Sequence, residues 1–328
     1  MRRRGFIAGL GSVAAWPLAA HAQQPERVRR IGIILNAAAD AAEYQTWVGA
    51  FLQALALLGW TIGRNVRTET RWATANASGI RRHAAELAAL APDVILAHGA
   101  STVAPLLQAT RIVPIVFPVA GDPVGAGFVE SLARPGGNAT GFMSSEFSQA
   151  GKWLELLKEI APNVTRVAVL RDPTQGSGTS QFAVIQAAAP SLRMQINPVN
   201  VSDTGEIERA VAAFARAPNG GLIVVAGGSP QRHRGLIIAL AARHQLPAVY
   251  FERHFVAGGG LASYGPDFVD QYRQAAGYID RVLKGEKPAE MPVQAPIKYG
   301  IVINLKTIKS LGLTVPPAVL ARADEAIE

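Results

Sequence analysis

The feature that most constrains the fold is an alternation of short apolar runs and helical stripes along the chain. Residues 30–35 form one apolar run, after which Trp47, Phe51 and Leu55 recur at helical spacing until Gly59. Short apolar runs joined by amphipathic helices are typical of parallel strands that are buried on both faces. The alternation continues to residue 143 and predicts a doubly wound parallel sheet in the first half of the chain.

The same alternation begins again in the second half. Apolar runs at 166–170 and 221–226 predict strands, and Asp203 and Glu206 have the spacing of a capping box at the start of a helix between them. Residues 285–296 are rich in proline and predict a linker before a last strand. The expected fold is therefore α/β, with two doubly wound Rossmann-like lobes and a ligand cleft between them.

The first 22 residues have the layout of an export signal. A basic start at residues 2–4 precedes an apolar run over 5–18, and residues 20–22 form a small-x-small cleavage site. Residues 3–7 also resemble the twin-arginine export pattern, so export by either pathway is open. The alternative is an N-terminal membrane helix, but the run is shorter than the ~20 residues that a span needs. We expect cleavage near Ala22.

Charge and cysteine content exclude several classes of protein. The chain has 32 Lys and Arg against 24 Asp and Glu; removal of the three signal arginines leaves 29 against 24, or about +5. The chain contains no cysteine, which excludes disulfides, thiol nucleophiles, Cys-ligated metals and a lipid anchor on cysteine. No later apolar stretch is long enough to span a membrane. We expect a mildly basic, freely diffusing periplasmic protein.

Candidate ligand-binding residues stand where the predicted strands end. In open α/β sheets, ligands bind beyond the carboxyl ends of the strands. The residues at these ends are small, polar or aromatic, which suits a small polar ligand. The predicted ligand-binding residues are Asn36, Gly99, Ala100, Ser101, Thr102, Asp122, Asp172, Gly228, Ser229, Tyr250, Tyr264 and Asp267. Other residues at these ends are Ala120, Gly121, Ser144, Ser145, Gly227 and Phe251.

Each candidate has a structural alternative. Free N–H groups at residues 99–102 would bind a carboxylate, although plain capping of the helix gives the same pattern. Asp122 and Asp172 would pair with a ligand ammonium or only form turns, because both precede proline. Tyr250 and Tyr264 would stack on a ligand or pack in the core. Asn36 is expected to face the cleft, and residues 227–229 would offer backbone donors or form a plain loop.

Catalytic and metal-binding patterns are weak. No H-E-x-x-H, G-x-S-x-G or P-loop motif occurs, so we expect no metal, no cofactor and no enzyme activity. His98, which ends a strand, is the best lone acid/base candidate, but a hydrogen-bonded cleft or core histidine is the favoured interpretation. The basic segments at 27–30 and 81–82 are short and far apart, which argues against nucleic-acid binding.

Several segments together resemble one family over almost the whole chain. They are residues 51–55 with 59–60, 91–96, 122–129, 132–141, 153–162, 264–267, and 303–306 with 311–313. These segments are similar to the ABC-transporter substrate-binding family that includes TrpX-like tryptophan- and tyrosine-binding proteins. The most specific matches are Asp-Pro-Val-Gly-Ala-Gly-Phe-Val at 122–129 and Leu-Ala-Arg-Pro-Gly-Gly-Asn-Ala-Thr-Gly at 132–141.

The resemblance implies a type I periplasmic binding protein fold with three hinge strands, near 143–146, 248–252 and 284–298. Lobe 1 would comprise residues 28–145 plus 248–285, and lobe 2 would comprise 146–247 plus 286–328. The implied function is capture of a small ligand, preferably an amino acid and including aromatic ones. A monomer would deliver this ligand to an ABC permease in the inner membrane. A sensor that feeds a signalling receptor and an exported α/β enzyme remain as alternatives.

Overall fold

The computed structural model of the protein describes residues 27–74, 76–144, 146–174 and 176–328. The predicted export signal at 1–22 and the predicted strand-end residue Ser145 lie outside the described residues. Within them, the strands form two sheets, and helices cover the faces of both. The sequence-based expectation of two α/β lobes is confirmed.

The first sheet is parallel throughout and has the strand order β2-β1-β3-β4-β5. Side chains alternate across a strand, so a strand covered on both faces is apolar at every position. Ile33 of the first strand faces one core and Ile34 faces the other. The strands are β1 (Arg29–Leu35), β2 (Val66–Trp72), β3 (Val94–Ala97), β4 (Ile115–Ala120) and β5 (Ala139–Met143).

Helices cover both faces of the first sheet. On one face, α1 packs against a helix from late in the chain, α10, and Phe51 and Tyr272 are fully buried between them and the sheet. On the other face, Leu87 of α2 and Val103 of α3 enter the second core. These helices are α1 (Ala42–Leu57), α2 (Ala77–Ala89), α3 (Ala100–Ala109) and α10 (Phe268–Leu283).

The second sheet has the order β12-β11-β10-β9-β8-β6-β7. Its pairs are parallel except for β10 with β11, which is antiparallel and was not anticipated from the sequence. The strands are β6 (Arg166–Arg171), β7 (Gln195–Asn200), β8 (Gly220–Val224), β9 (Ala248–Tyr250), β10 (Ala262–Pro266), β11 (Tyr299–Asn304) and β12 (Glu325–Ile327).

The helix predicted after Asp203 in the second half of the chain is present and begins at Thr204. Asp203 accepts a hydrogen bond from the amide of Glu206 at 2.9 Å, which confirms it as the cap residue. The carboxylate of Glu206 accepts from the hydroxyl of Ser202 and not from the amide of Asp203, so the capping box is only half formed. The remaining helices are α4 (Ala150–Ile160), α5 (Gly176–Ala188), α6 (Thr204–Phe214), α7 (Gly228–Arg232), α8 (Arg234–Arg243), α9 (Arg253–Ala257), α11 (Leu305–Ser310) and α12 (Pro317–Arg322). Short 3-10 turns occupy Phe147–Gln149, Ala189–Leu192 and Pro288–Glu290.

The strand pairing differs from the predicted lobe boundaries at two places. Strands β9 and β10 pair with the second sheet, although residues 248–285 were assigned to lobe 1. Residues 291–294 return to the first sheet, where Thr140 donates to the carbonyl of Met291 at 2.6 Å and Phe142 bridges to Gln294. The chain therefore crosses between the lobes near 144–149, 266–268 and 295–298, not near 248–252. Periodicity identifies each element but not the sheet to which it pairs.

Candidate ligand-binding cleft

A cavity of about 370 Å³ lies between the carboxyl ends of the two sheets. From the first lobe it is lined by residues that follow β1, β3, β4 and β5, and by the first turns of α1 and α10. From the second lobe it is lined by residues that follow β8 and β9 and by α7. The lining residues with polar or aromatic groups are Asn36, Glu43, Tyr44, Trp47, His98, Ser101, Ser144, Ser177, Gln231, Arg232, Phe251, Glu252 and Phe268.

The start of α3 opens directly into this cavity. Gly99 precedes the helix with φ 78°, a conformation that glycine adopts without strain, and no side chain caps the helix there. Among the described residues, the amides of Ala100 and Ser101 have no hydrogen-bond partner. A Cβ on Gly99 would lie 3.8 Å from the amide nitrogen of Asn36, whose oxygen accepts from Tyr44 at 3.3 Å. Unpaired N–H groups and the helix dipole favour an anion at this place.

Aromatic rings form the first-lobe wall beside this helix start. The ring of Trp47 stacks on His98 at 5.3 Å between centroids and meets Phe268 edge-on at 5.4 Å. The ring of Tyr44 lies 4.9 Å from His98. Trp47 is only 3 % exposed, so its packing fixes the orientation of the neighbouring rings. Such a surface suits an apolar or aromatic group of a ligand.

His98 lies in this wall as a buried, neutral group. Its Nδ1 is 2.7 Å from the hydroxyl of Tyr272, on α10. Burial lowers the pKa of His98 to about 3, because the low-dielectric surroundings disfavour the imidazolium. The partner of His98 is a tyrosine hydroxyl and not a carboxylate, so no negative charge favours its protonation. The structure therefore agrees with a structural role, in which the hydrogen bond fixes the His98 ring in the wall.

The second-lobe wall combines half-buried glycine backbone with polar side chains. Gly227 and Gly228 bring the chain against the cavity at the start of α7. Glu252, which is 3 % exposed, accepts from the side-chain amide of Gln231 at 2.8 Å and contacts the Nδ1 of His254 at 2.6 Å. A carboxylate with two hydrogen-bond partners is held in a fixed orientation towards the cleft.

The structure brings together the candidates Asn36, Gly99, Ala100, Ser101 and Gly228 in the cavity. Thr102, next to them in sequence, turns inward and donates to the carbonyl of His98 at 2.9 Å. It is fully buried beneath the cavity wall.

Four other candidates lie outside the cavity lining. Asp122 accepts a hydrogen bond from the amide of Gly125 at 2.8 Å, so it forms the turn that was the alternative to ligand binding. Asp172 is buried and accepts from the amides of Thr174 and Ser229, and Ser229 is buried with it. Tyr250 is fully buried and stacks on Phe255 at 4.8 Å, as a core residue does.

Tyr264 and Asp267 lie near the crossings between the lobes. Tyr264 stacks on Tyr299 at 5.5 Å and donates to the side-chain oxygen of Gln149 at 3.1 Å. Asp267 caps α10 and lines a neighbouring groove of about 620 Å³, which shares Trp47, Glu252 and Phe268 with the cavity. These two residues are therefore set apart from the cavity at the start of α3.

Sequence reasoning missed the lining residues on α1 and the later lining residues of α7. Glu43, Tyr44 and Trp47 lie on the first two turns of α1, and Gln231 lies on α7. The available signal was their distance from a strand end: the first turns of a helix that follows a parallel strand remain beside the carboxyl edge of the sheet.

Among the described residues, no group of three or more His, Asp or Glu is placed to hold a metal ion. In that same part of the chain, no helix combines the length and apolarity that a membrane crossing requires.

Two α/β lobes, three chain crossings and a cavity at the facing sheet edges define a type I periplasmic binding protein fold. The sequence matches the family described as "ABC transporter substrate binding protein" over residues 30–327. The chain belongs to this family. Its members are solute-binding proteins and are extracytoplasmic.

Individual relatives agree with this assignment. A "Tyrosine-binding protein" of Clostridioides difficile (strain R20291) is 25% identical over 269 residues, which is 80% of this chain and 75% of the relative. The ABC domain in complex with L-Trp from Streptococcus pneumonia has a TM-score of 0.83 at 25% identity, covering 91% of this chain and 99% of that one. A conserved domain protein of Vibrio cholerae O1 biovar El Tor has a TM-score of 0.82 at 26% identity, covering 92% and 100%.

Proposed function

We propose that this protein captures an amino acid with an aromatic side chain and delivers it to an ABC permease in the inner membrane. It would act as a periplasmic monomer after export and removal of residues 1–22. The observation that carries the proposal is the uncapped start of α3, whose free amides open into the same cavity as an aromatic wall. The L-Trp and tyrosine ligands in the names of two relatives support the same ligand class.

The cleft offers a complementary group for each part of such a ligand. The amides of Ala100 and Ser101 would hold the carboxylate, and a helix start contributes about 1–2 kcal/mol to an anion in a partly buried geometry. The acceptors on Glu43 and Glu252 line the same cavity and would face the ammonium. The rings of the first-lobe wall would contact the side chain. Micromolar binding needs about −8 kcal/mol in total, so the carboxylate contacts are one contribution among several.

Closure of the lobes would couple binding to delivery. A ligand that contacts both walls makes its full set of contacts only in the closed form, and it therefore shifts the population towards closure. The permease would then recognise the closed arrangement of the two lobes.

A panel of three indole compounds tests the ligand assignment. L-Tryptophan carries both charged groups, tryptamine lacks the carboxylate and indole-3-propionate lacks the ammonium. At 100 times its Kd, a one-site ligand adds about 2.7 kcal/mol to the free energy of unfolding. We expect thermal stabilisation by L-tryptophan or L-tyrosine and much less by either truncated compound. An equal response to tryptamine would contradict a carboxylate site at α3.

A proline substitution removes one of the amides without breaking the helix. Ala100 is the first residue of α3, a position that proline favours, so Ala100→Pro deletes its free N–H and retains the helix. We expect the Kd for the amino acid to rise about tenfold, measured by isothermal titration calorimetry. Ala77→Pro is the matched control, because Ala77 is the first residue of α2 and lies outside the cavity lining. An unchanged Kd in Ala100→Pro would show that the ligand carboxylate does not bind at the start of α3.

The delivery step has its own test. We expect deletion of the gene to lower cellular uptake of the bound amino acid. The wild-type gene should restore uptake, whereas the Ala100→Pro gene should restore much less of it. Normal uptake in the deletion strain, with binding intact in the purified protein, would favour the sensor alternative over import.

A further inference from the structure

An ion pair connects the two lobes at the edge of the cleft. Glu43 lies on the first turn of α1 in the first lobe, and Arg234 begins α8 in the second lobe. The Nη1 of Arg234 donates to Oε2 of Glu43 at 3.0 Å, although the residues are 191 positions apart. The Glu43 side chain is only 16% exposed and that of Arg234 is 32% exposed, so water screens this pair less than a surface pair.

Further groups extend this contact within the second lobe. The Nδ1 of His254, on α9, lies 3.5 Å from Oε2 of Glu43 and 2.6 Å from Oε1 of Glu252. Gln231 donates to the other oxygen of Glu252 at 2.8 Å. The groups form one chain of contacts in the order Arg234, Glu43, His254, Glu252 and Gln231. We refer to these five residues as the interlobe network.

The network touches the ligand cavity on one side. Glu43, Gln231 and Glu252 line the cavity, whereas Arg234 and His254 are not part of its lining. The oxygen Oε1 of Gln231 is shielded from solvent and has no hydrogen-bond partner among the described residues. The same side chains that hold the lobes together thus offer acceptors to the cleft, so ligand contact and lobe contact involve shared groups.

We propose that Glu43 and Arg234 are positioning residues that hold the closed form over a bound ligand and so set its rate of release. This proposal rests on the proposed function as a ligand-binding protein. Because the two residues lie on different lobes, hinge opening separates them, and their attraction stabilises the closed form alone. When closure is only partly populated, the apparent Kd equals the intrinsic Kd divided by the closed fraction. Loss of Arg234, which is not part of the cavity lining, therefore weakens binding without removing a group that contacts the ligand.

The ligand-free arm of the test measures the distance between the lobes. The chain has no cysteine, so spin labels can be placed at Gln108→Cys and Glu208→Cys, on exposed positions of α3 and α6. We expect Arg234→Gln to shift the distance distribution from electron paramagnetic resonance towards a more open form. An unchanged distribution would overturn the proposal. Because this arm contains no ligand, its result is independent of the ligand assignment.

The ligand arm measures release of L-tryptophan by stopped flow. We expect Arg234→Gln to raise the dissociation rate about tenfold, since loss of one partner of a close charge pair acts mainly on dissociation. Glu43→Gln also removes the proposed acceptor for the ammonium and should raise the rate further. The double variant should resemble Glu43→Gln, because that change already removes the pair. Additive effects of the two changes would show that the residues act separately and would overturn the proposal.

Controls separate the interlobe network from general loss of stability. Arg322→Gln breaks an ion pair with Glu159 inside the second lobe, and it should change neither the distance nor the dissociation rate. Arg234→Lys retains the charge and should raise the dissociation rate only about threefold. If L-tryptophan fails to bind the wild type while Arg234→Gln still opens the lobes, the ligand assignment is wrong and the role of the pair is supported.

Discussion

The two walls of the cleft differ in how their residues are held. In the first-lobe wall, Trp47 and His98 are packed against Tyr272 and the hydrophobic core, with ring centroids 5.3–5.9 Å apart. In the second-lobe wall, Gln231 and Glu252 line the cavity and are held by the hydrogen bond between their side chains. They lie in a region of short helices and glycine-containing turns. The first wall is therefore a fixed surface continuous with the core. The second wall presents polar groups whose contacts depend on how closely the lobes approach.

Because of this difference, we expect the two walls to contribute differently to the stability of the fold and to the affinity for the ligand. Buried rings contribute to folding of the first lobe whether or not a ligand is present, because they cover apolar area in the free protein. The polar groups of the second wall bury little apolar area, and Gln231 still has one unpartnered oxygen among the described residues. Changes in the first wall should consequently alter unfolding most, and changes in the second wall should alter binding most.

The largest effect is expected at Trp47. It is 3 % exposed and contacts Tyr44, His98 and Phe268, so Trp47→Ala leaves a large cavity in the first lobe. We expect a loss of about 3–5 kcal/mol in the free energy of unfolding, measured by urea denaturation. Trp47→Phe retains a ring and should lose much less. A loss below ~1 kcal/mol in Trp47→Ala would contradict a core-continuous first wall.

An intermediate effect is expected from the protonation of His98. The folded-state pKa of about 3 lies below the ordinary 6.5, so between these values the unfolded chain binds a proton that the folded chain does not. Stability from this group is present above about pH 6.5 and is lost as pH falls towards 3. Acidification from pH 7 to pH 5 should cost about 2 kcal/mol at this residue. Urea denaturation at several pH values measures it.

The difference between the wild type and His98→Gln isolates this contribution. The variant should lack about 2 kcal/mol of the acid-induced loss, because glutamine does not titrate. His244→Gln is the control, because His244 lies at the C-terminal end of α8 in the second lobe. This variant keeps His98 and should retain the acid-induced loss of stability that His98 causes. Identical pH dependence in the wild type and in His98→Gln would show that His98 is not held neutral.

The smallest effect on folding is expected at Gln231. Gln231→Ala removes one donor from Glu252, which keeps its contact with His254, so the free energy of unfolding should fall by only about 1 kcal/mol. Affinity for the amino acid should fall severalfold, measured by calorimetry. Gln274→Ala is the matched control, because Gln274 donates to Asp270 at 2.6 Å outside the cavity lining. An equal loss of affinity in Gln231→Ala and Gln274→Ala would contradict the proposed difference between the two walls.

Part of the site could be predicted because it depends on local order. Asn36, Ala100 and Ser101 follow strands β1 and β3 directly, and any parallel sheet places such residues at one edge. Asp172 follows β6 and Tyr250 is the last residue of β9, yet Asp172 closes a turn and Tyr250 enters the core. Position at a strand end fixes where a side chain starts, and the packing around it decides whether it reaches the cleft.

The sequence by itself determined the α/β class, the order of most elements and the residues at the strand ends. These features follow from periodicity and from turn and capping chemistry, which act between residues a few positions apart. Only the tertiary structure decided that β9 and β10 join the second sheet. It also brought Glu43 to Arg234 across 191 positions. Such pairings depend on which surfaces bury each other, and local periodicity does not encode the choice of partner.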